Sequence, residues 1–159
     1  MDIIAFTGSN AVGLSIIASA AQIHPGQRDI KRVIAELGGK NAVIIDDDAD
    51  LDQAIADTVT SAFGYAGQKC SACSRVYVDR SVAREFLERL IQKTKSFRVG
   101  DPVERDVVIG PLINGRAVQT YDAAVAEALM TGGTKVAGSW GGPTTRLRTA
   151  PLSRSTASW

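Results

Sequence analysis

The chain has 159 residues, 45% apolar and 22% charged, with a formal net charge of +1. Its length suits one domain of ordinary size, and its composition is that of a globular protein rather than a disordered one. Near-neutral charge gives no electrostatic case for nucleic acid or an anionic membrane surface, so neither is expected as a partner. No apolar run is long enough to span a bilayer, and no basic segment leads into an apolar one at the start. With two cysteines and no export signal, free thiols in the cytoplasm are expected rather than a disulfide framework. The chain opens directly on an apolar run and ends on Trp159 after a stretch unlike the rest, so both ends are expected to be cut or altered.

Ile3 to Phe6 is a short apolar run closed by Thr7-Gly8-Ser9-Asn10. It predicts a buried strand, then a turn in which Ser9 or Asn10 caps a helix from about Ala11 to Gln22. Val12, Leu14, Ile16, Ile17 and Ala20 spread around that helix, so burial on most sides is expected. Strand, glycine-bearing turn and helix make half of a nucleotide-binding unit, whose first helical N–H groups face phosphate. The full G-x-G-x-x-G spacing is lacking, so a plain βα connection stays open. His24, the only histidine, stands beside Pro25 and reads as a surface loop residue. Arg32-Val33-Ile34-Ala35 predicts a second strand that delivers Glu36, Gly38 and Gly39 at its carboxyl end, where ligands sit in open α/β sheets. An ordinary solvated glutamate is the alternative for Glu36.

Ala42 to Ile45 predicts another buried strand. The aspartates that follow, Asp46, Asp47, Asp48, Asp50 and Asp52, raise a calcium-loop reading, but Leu51 stands where that loop needs glycine and Asp57 where it needs glutamate. They are read instead as acids at a helix start, favourable to its dipole. Leu51, Ala54, Ile55, Thr58, Val59, Ala62 and Phe63 give that helix a single apolar face, ending near Gly64, with Cys70 in the loop beyond. Arg75 to Val78 predicts a strand, and Ser81 is expected to cap a helix burying Val82, Phe86, Leu87, Leu90, Ile91 and Thr94. Gly100-Asp101-Pro102 stops it and Gly110-Pro111 marks a turn. Asn114 caps a further helix through Ala117, Val118, Tyr121, Val125 and Leu129, closed by Gly132-Gly133. Alternation of strand and helix predicts an α/β architecture with mostly parallel strands. Residues 139–159 are mainly Ser, Thr, Gly, Pro and Arg, without acids. They read as an irregular tail: a linker, a basic arm or an out-of-frame extension.

Two segments carry chemistry. In Gly67-Gln68-Lys69-Cys70 the lysine beside the thiol favours the thiolate, and Glu36 offers a general base, so nucleophile and base are both present. Cys70 and Cys73 also form a C-x-x-C pair, which a redox dithiol or half of a zinc site would use. A second metal-binding pair is missing, so no metal is expected. Spacing alone leaves the thiol enzyme and the redox dithiol both open.

Taken together, Phe6-Thr7-Gly8-Ser9 with Val12-Gly13, Glu36-Leu37-Gly38-Gly39-Lys40, and Gly67-Gln68-Lys69-Cys70 with Ser74-Arg75 resemble the aldehyde dehydrogenase superfamily. The resemblance covers about Ile3 to Gly138. Residues 63–75 and 30–36 look most like its 1-pyrroline-5-carboxylate (glutamate γ-semialdehyde) dehydrogenase branch. It implies a fragment of that α/β fold: residues 1–40 as the end of a Rossmann-like NAD domain and residues 41–138 as the first part of the catalytic domain. It implies Cys70 as the nucleophile that forms a thiohemiacetal and then a thioester, and Glu36 as the base that activates the hydrolytic water. NAD would be the cofactor, held by Thr7, Gly8, Ser9, Leu37 and Gly38. Lys69 and Ser71 would receive the carboxylate of the aldehyde substrate, and Cys73 would be a packed thiol. Tyr65 stands where the superfamily commonly has asparagine, which suits this branch. The parent enzyme is expected to be a homo-oligomer. A second oxyanion donor and further cofactor and substrate groups of the family lie outside this chain, so the chain alone is expected to be inactive.

Overall fold

The structure is a computed structural model, described here for residues 2–137; the tail expected at 139–159 lies outside the described residues. Ile3–Thr7 (β1) and Arg32–Glu36 (β2) pair in parallel, with Ile4 opposite Val33, Phe6 opposite Ala35 and Thr7 opposite Glu36. Asn10–Ala20 (α1) makes the crossover between them. Of the two capping candidates, Ser9 is used, its hydroxyl accepting the Val12 N–H at 3.4 Å. The burial expected around α1 is not found. Only Gly13 and Ala20 are buried, whereas Val12, Leu14 and Ile17 are exposed. Apolar residues wrap the helix, but β2 is the layer packed against it and covers one side.

The second unit repeats this logic with a better-filled core. Asn41–Ile45 (β3) runs parallel to Cys73–Val78 (β4), and the crossover is Leu51–Phe63 (α2) followed by a 3-10 turn at Gly64–Gly67. Side chains alternate across a strand, so Val43, Ile45, Val76 and Val78 pack with Ile55 of α2 and Phe86 of Ala83–Lys95 (α3). Ile44 and Tyr77, partners on the other face, are 79% and 55% exposed. The single-face pattern of α2 holds, with Ile55, Thr58 and Val59 buried. Two of the five aspartates serve the helix start as expected, Asp50 as the N-cap that accepts the Asp52 and Gln53 N–H groups and Asp52 in the first turn, whereas Asp46, Asp47 and Asp48 lie in the turn before it.

Ser81 does not cap α3. Val82 holds that position without a side-chain bond, because the Ser81 hydroxyl and N–H both donate to the Asp79 carboxylate, at 2.6 and 2.8 Å. Leu87, expected inside, is exposed. Two short parallel strands, Arg98–Val99 (β5) and Val107–Ile109 (β6), were not among the predicted elements. Arg98 ties the loop between them by pairing with Glu104 and Asp106. Gly115–Met130 (α4) is capped by Asn114, which accepts the Ala117 N–H, and Gly132 follows it at φ 94°, both as predicted. Among the described residues the strands form three two-stranded sheets, all parallel, and no helix is long and apolar enough to cross a membrane.

Thr58 is 2% exposed and its hydroxyl has no hydrogen-bond partner among the described residues. A desolvated, unsatisfied hydroxyl is a net cost, so Thr58→Val is expected to raise stability by about 1 kcal/mol in urea unfolding; a loss of stability would contradict this. Asp79 supplies a pH dependence. The bonds from Ser81 hold its carboxyl below the usual range, and a depressed folded value means a stabilising contribution present above the unfolded value of about 3.9. That contribution is lost as pH falls through the folded value. Asp79→Asn is therefore expected to flatten the acid limb of Tm against pH, and an unaltered limb would refute the assignment.

Candidate active site

Two of the sequence motifs meet at the carboxyl end of the β1–β2 pair. Glu36 is the last residue of β2, and its carbonyl accepts the Gly8 N–H at 3.1 Å. Thr7 lies opposite it in register, so the Thr7-Gly8-Ser9 turn and Glu36 share one sheet end. Leu37 follows and lies against the first turn of α1. A Cβ added to Gly13 would sit 2.5 Å from Leu37 Cδ2, so a larger residue there would displace the end of the Leu37 side chain. The Gly38 Cα faces open space, with nothing within 4 Å of an added Cβ. Thr7, Gly8, Ser9, Glu36 and Gly38 are exposed and Leu37 is half-buried.

The third motif is joined to the second by the residues just past Glu36. Arg75 Nη2 donates to the Lys40 carbonyl at 2.6 Å, and Ser74 Oγ donates to the Asn41 carbonyl at 3.2 Å. Asn41 Nδ2 donates to the Cys70 and Ala72 carbonyls at 2.8 and 3.3 Å. A Cβ on Gly39 would lie 3.5 Å from the Cys70 carbonyl oxygen. Gly39-Lys40-Asn41 therefore runs directly beside the Cys70 loop, bringing together segments that the sequence separates widely.

The loop itself is tightly formed. Tyr65, Ala66 and Gly67 all adopt left-handed backbone, with φ of 57°, 55° and 72°. For the two non-glycines this costs roughly 1–2 kcal/mol each. Gln68 closes the segment at both ends: its Nε2 donates to the Tyr65 carbonyl at 3.2 Å and its Oε1 accepts the Ile113 N–H at 2.9 Å. The Lys69 ammonium lies 5.0 Å from the Tyr65 ring centroid, a cation–π contact. The Ala72 N–H then bonds the Lys69 carbonyl at 3.2 Å, placing Cys70 and Ser71 at the two central positions of a β-turn. Cys70 is exposed and Cys73 buried. Cys73 donates its N–H to Ser61 Oγ at 3.2 Å and its thiol to the Arg75 carbonyl at 3.3 Å, the packed thiol that was expected. Asn41 and Gln68 were missed as site residues, since nothing in an isolated amide side chain tells which backbone it will meet.

A hollow of about 400 Å³ between α2 and α3 is lined by Asp52, Ile55, Arg89, Gln92 and Lys93 among others. None of these belongs to the Glu36 or Cys70 segments.

The profile of the aldehyde dehydrogenase family matches residues 1–150. The chain belongs to the aldehyde dehydrogenase family. It is 47% identical over 135 residues to the 1-pyrroline-5-carboxylate dehydrogenase of Geobacillus kaustophilus (strain HTA426), covering 82% of this chain and 26% of that protein. Among solved structures it is similar to proline utilization A (PutA) from Bdellovibrio bacteriovorus, with TM-score 0.79 and 47% identity over 82% of this chain and 14% of that one. It is also similar to a Thermus 1-pyrroline-5-carboxylate dehydrogenase with bound NAD, with TM-score 0.79 and 34% identity over 91% of this chain and 28% of that one. The described residues are thus part of the aldehyde dehydrogenase fold, and the chain spans about a quarter of the length of the curated relative it matches.

The two thiols differ in access, and their chemistry should follow. Iodoacetamide is expected to modify Cys70 about tenfold or more faster than Cys73 in the native chain, because burial withholds a thiol from reagent. Peptide mass spectrometry would measure both rates, which should converge in urea; equal rates in the native chain would contradict the arrangement.

Proposed function

We propose that this chain carries the nucleophile and the general base of an NAD-dependent aldehyde dehydrogenase that oxidises L-glutamate γ-semialdehyde to glutamate in proline catabolism. The observation that carries the reading is Cys70 exposed on a β-turn whose backbone is bonded to the segment following Glu36. The 47% identity to a 1-pyrroline-5-carboxylate dehydrogenase supports the substrate class. In this reading residues 1–40 end a cofactor domain, residues 41–138 begin a catalytic domain, and the parent enzyme is a cytoplasmic homo-oligomer.

The Cys70 thiolate attacks the aldehyde carbon, forming a C–S bond and leaving an oxyanion. The Cys70 backbone N–H stabilises that oxygen, a contribution of about 3 kcal/mol for one well-placed donor. Lys69 and Ser71, flanking the thiol on the same turn, receive the carboxylate at the far end of the substrate. Thr7, Gly8, Ser9, Leu37 and Gly38 fit a dinucleotide. The start of α1 leaves N–H donors without intrahelical acceptors, and the space beside Gly38 is open. When bound there, NAD supplies the hydride acceptor for oxidation at the aldehyde carbon. Glu36 then takes a proton from water, whose oxygen attacks the acyl carbon on Cys70 Sγ. The C–S bond breaks, the acid leaves and the thiolate is restored.

In a full-length enzyme carrying residues 2–137, Cys70→Ala is expected to lower NADH formation from glutamate semialdehyde by about a thousandfold or more. Glu36→Gln is expected to preserve a burst of NADH and slow the steady state, since acylation precedes the step Glu36 serves. Undiminished turnover by Cys70→Ala would sink the assignment, and equal turnover of simple aliphatic aldehydes would sink the substrate class.

A further inference from the structure

The Asn41 side chain meets the nucleophile's turn at backbone carbonyls. Its Nδ2 faces the Cys70 carbonyl at 2.8 Å and the Ala72 carbonyl at 3.3 Å. Carbonyls only accept, so the amide nitrogen and not Oδ1 must stand there, and each of its two hydrogens has its own acceptor. A peptide unit is planar and trans, so fixing the direction of a carbonyl also fixes that of the next residue's N–H. The Ala72 carbonyl and the Cys73 N–H belong to one such plane, held by Asn41 at one edge and by Ser61 Oγ at the other. The Cys70 carbonyl and the Ser71 N–H belong to another. Here Asn41 holds the carbonyl, and the Ser71 N–H, turned the opposite way, meets no protein acceptor among the described residues.

Asn41 has a firm base for this task. It is the first residue of β3, opposite Cys73, and the register shifts between Asn41 and Ala42 so that Ala42 meets Arg75. Such an irregularity re-aims a side chain at a strand end. Ser74 Oγ bonds the Asn41 carbonyl and holds that end in place, while the Arg75 bond falls one residue earlier, on the Lys40 carbonyl. We infer that Asn41 is a positioning residue for the thiol. By holding the Cys70–Ser71 peptide plane it sets the direction in which Cys70 presents its side chain. The role rests on the reading of Cys70 as nucleophile, but the geometry can be tested without catalysis.

A nitroxide methanethiosulfonate attached to Cys70 of the whole chain reports the turn's order by its resonance line shape, while buried Cys73 stays unlabelled. The wild-type label is expected to be restrained. Asn41→Asp keeps the shape but sets acceptors against two carbonyls, and Asn41→Ala removes both donors; each is expected to shorten the label's correlation time by about threefold or more on the nanosecond scale. Arg75→Met, which removes the neighbouring bond to Lys40, is expected to leave the line shape as in wild type. A mobile label in wild type, a native line shape in Asn41→Asp with β-sheet ellipticity intact, or equal loosening in Arg75→Met would each overturn the inference. Loss of the sheet signal in the milder Asn41→Ser would do so too, by making Asn41 a folding residue instead. None of these readings involves aldehyde or NAD, so failure here is distinct from failure of the catalytic assignment.

Discussion

Parallel pairing of β3 with β4 is the constraint on which the rest of the molecule depends. Two parallel strands cannot be joined by a tight hairpin; the chain must cross over, and here it does so through α2. Three consequences follow from that one requirement. The crossover helix lays Ile55 against Ile45, the core is completed by Phe86 from α3, and the return to β4 leaves Cys70 in the turn between helix and strand. The thiol is exposed because the return segment runs outside the carboxyl end of α2, while Cys73, already in the ladder, is buried.

Placing an exposed thiol on a return segment has a conformational cost, visible in Tyr65 and Ala66. Both sit in left-handed backbone ahead of Gly67, a region in which non-glycine residues persist only when their surroundings over-determine them. Those surroundings are identifiable. Gln68 bonds Tyr65 on one side and Ile113 on the other, Lys69 lies over the Tyr65 ring, and Asn41 takes hold past the thiol. The exposed thiol thus sits between two carboxamide side chains, each bonded to two backbone groups.

Much of the fold was legible from local pattern. The strands at Ile3 to Phe6 and Ala42 to Ile45, the one-sided face of α2 and the cap at Asn114 each depend on neighbours in sequence, and each appears where pattern or capping chemistry puts it; the burial expected of the two strands does not, since no residue of β1 is buried and Ile45 alone is buried in β3. What failed depends on distant or competing partners. Ser81 looked like a cap, but Asp79 two residues earlier is a stronger acceptor and claimed its hydroxyl. The apolar residues of α1 implied burial, yet burial needs a layer on each side, and among the described residues β2 is the layer packed against it. β4 begins at Cys73, earlier than its apolar run, because ladder bonds to β3 and not side-chain character define its start. At the site, the placement of Glu36 at a strand end and Cys70 in a loop could be read from sequence. The contact joining their segments could not, since Asn41 is an unremarkable polar residue until the fold sets two carbonyls before it.

The bare face of the β3–β4 pair affects how the chain responds to heat. The heat capacity of unfolding comes chiefly from apolar surface newly placed in water. Ile44 and Tyr77, with Val12, Leu14 and Ile17 on α1, already stand in water in the folded chain. Hydrating them adds little on unfolding, so the stability curve of this chain is flatter than its length alone would give. Cold is therefore expected to cost it less than a chain with both sheet faces covered.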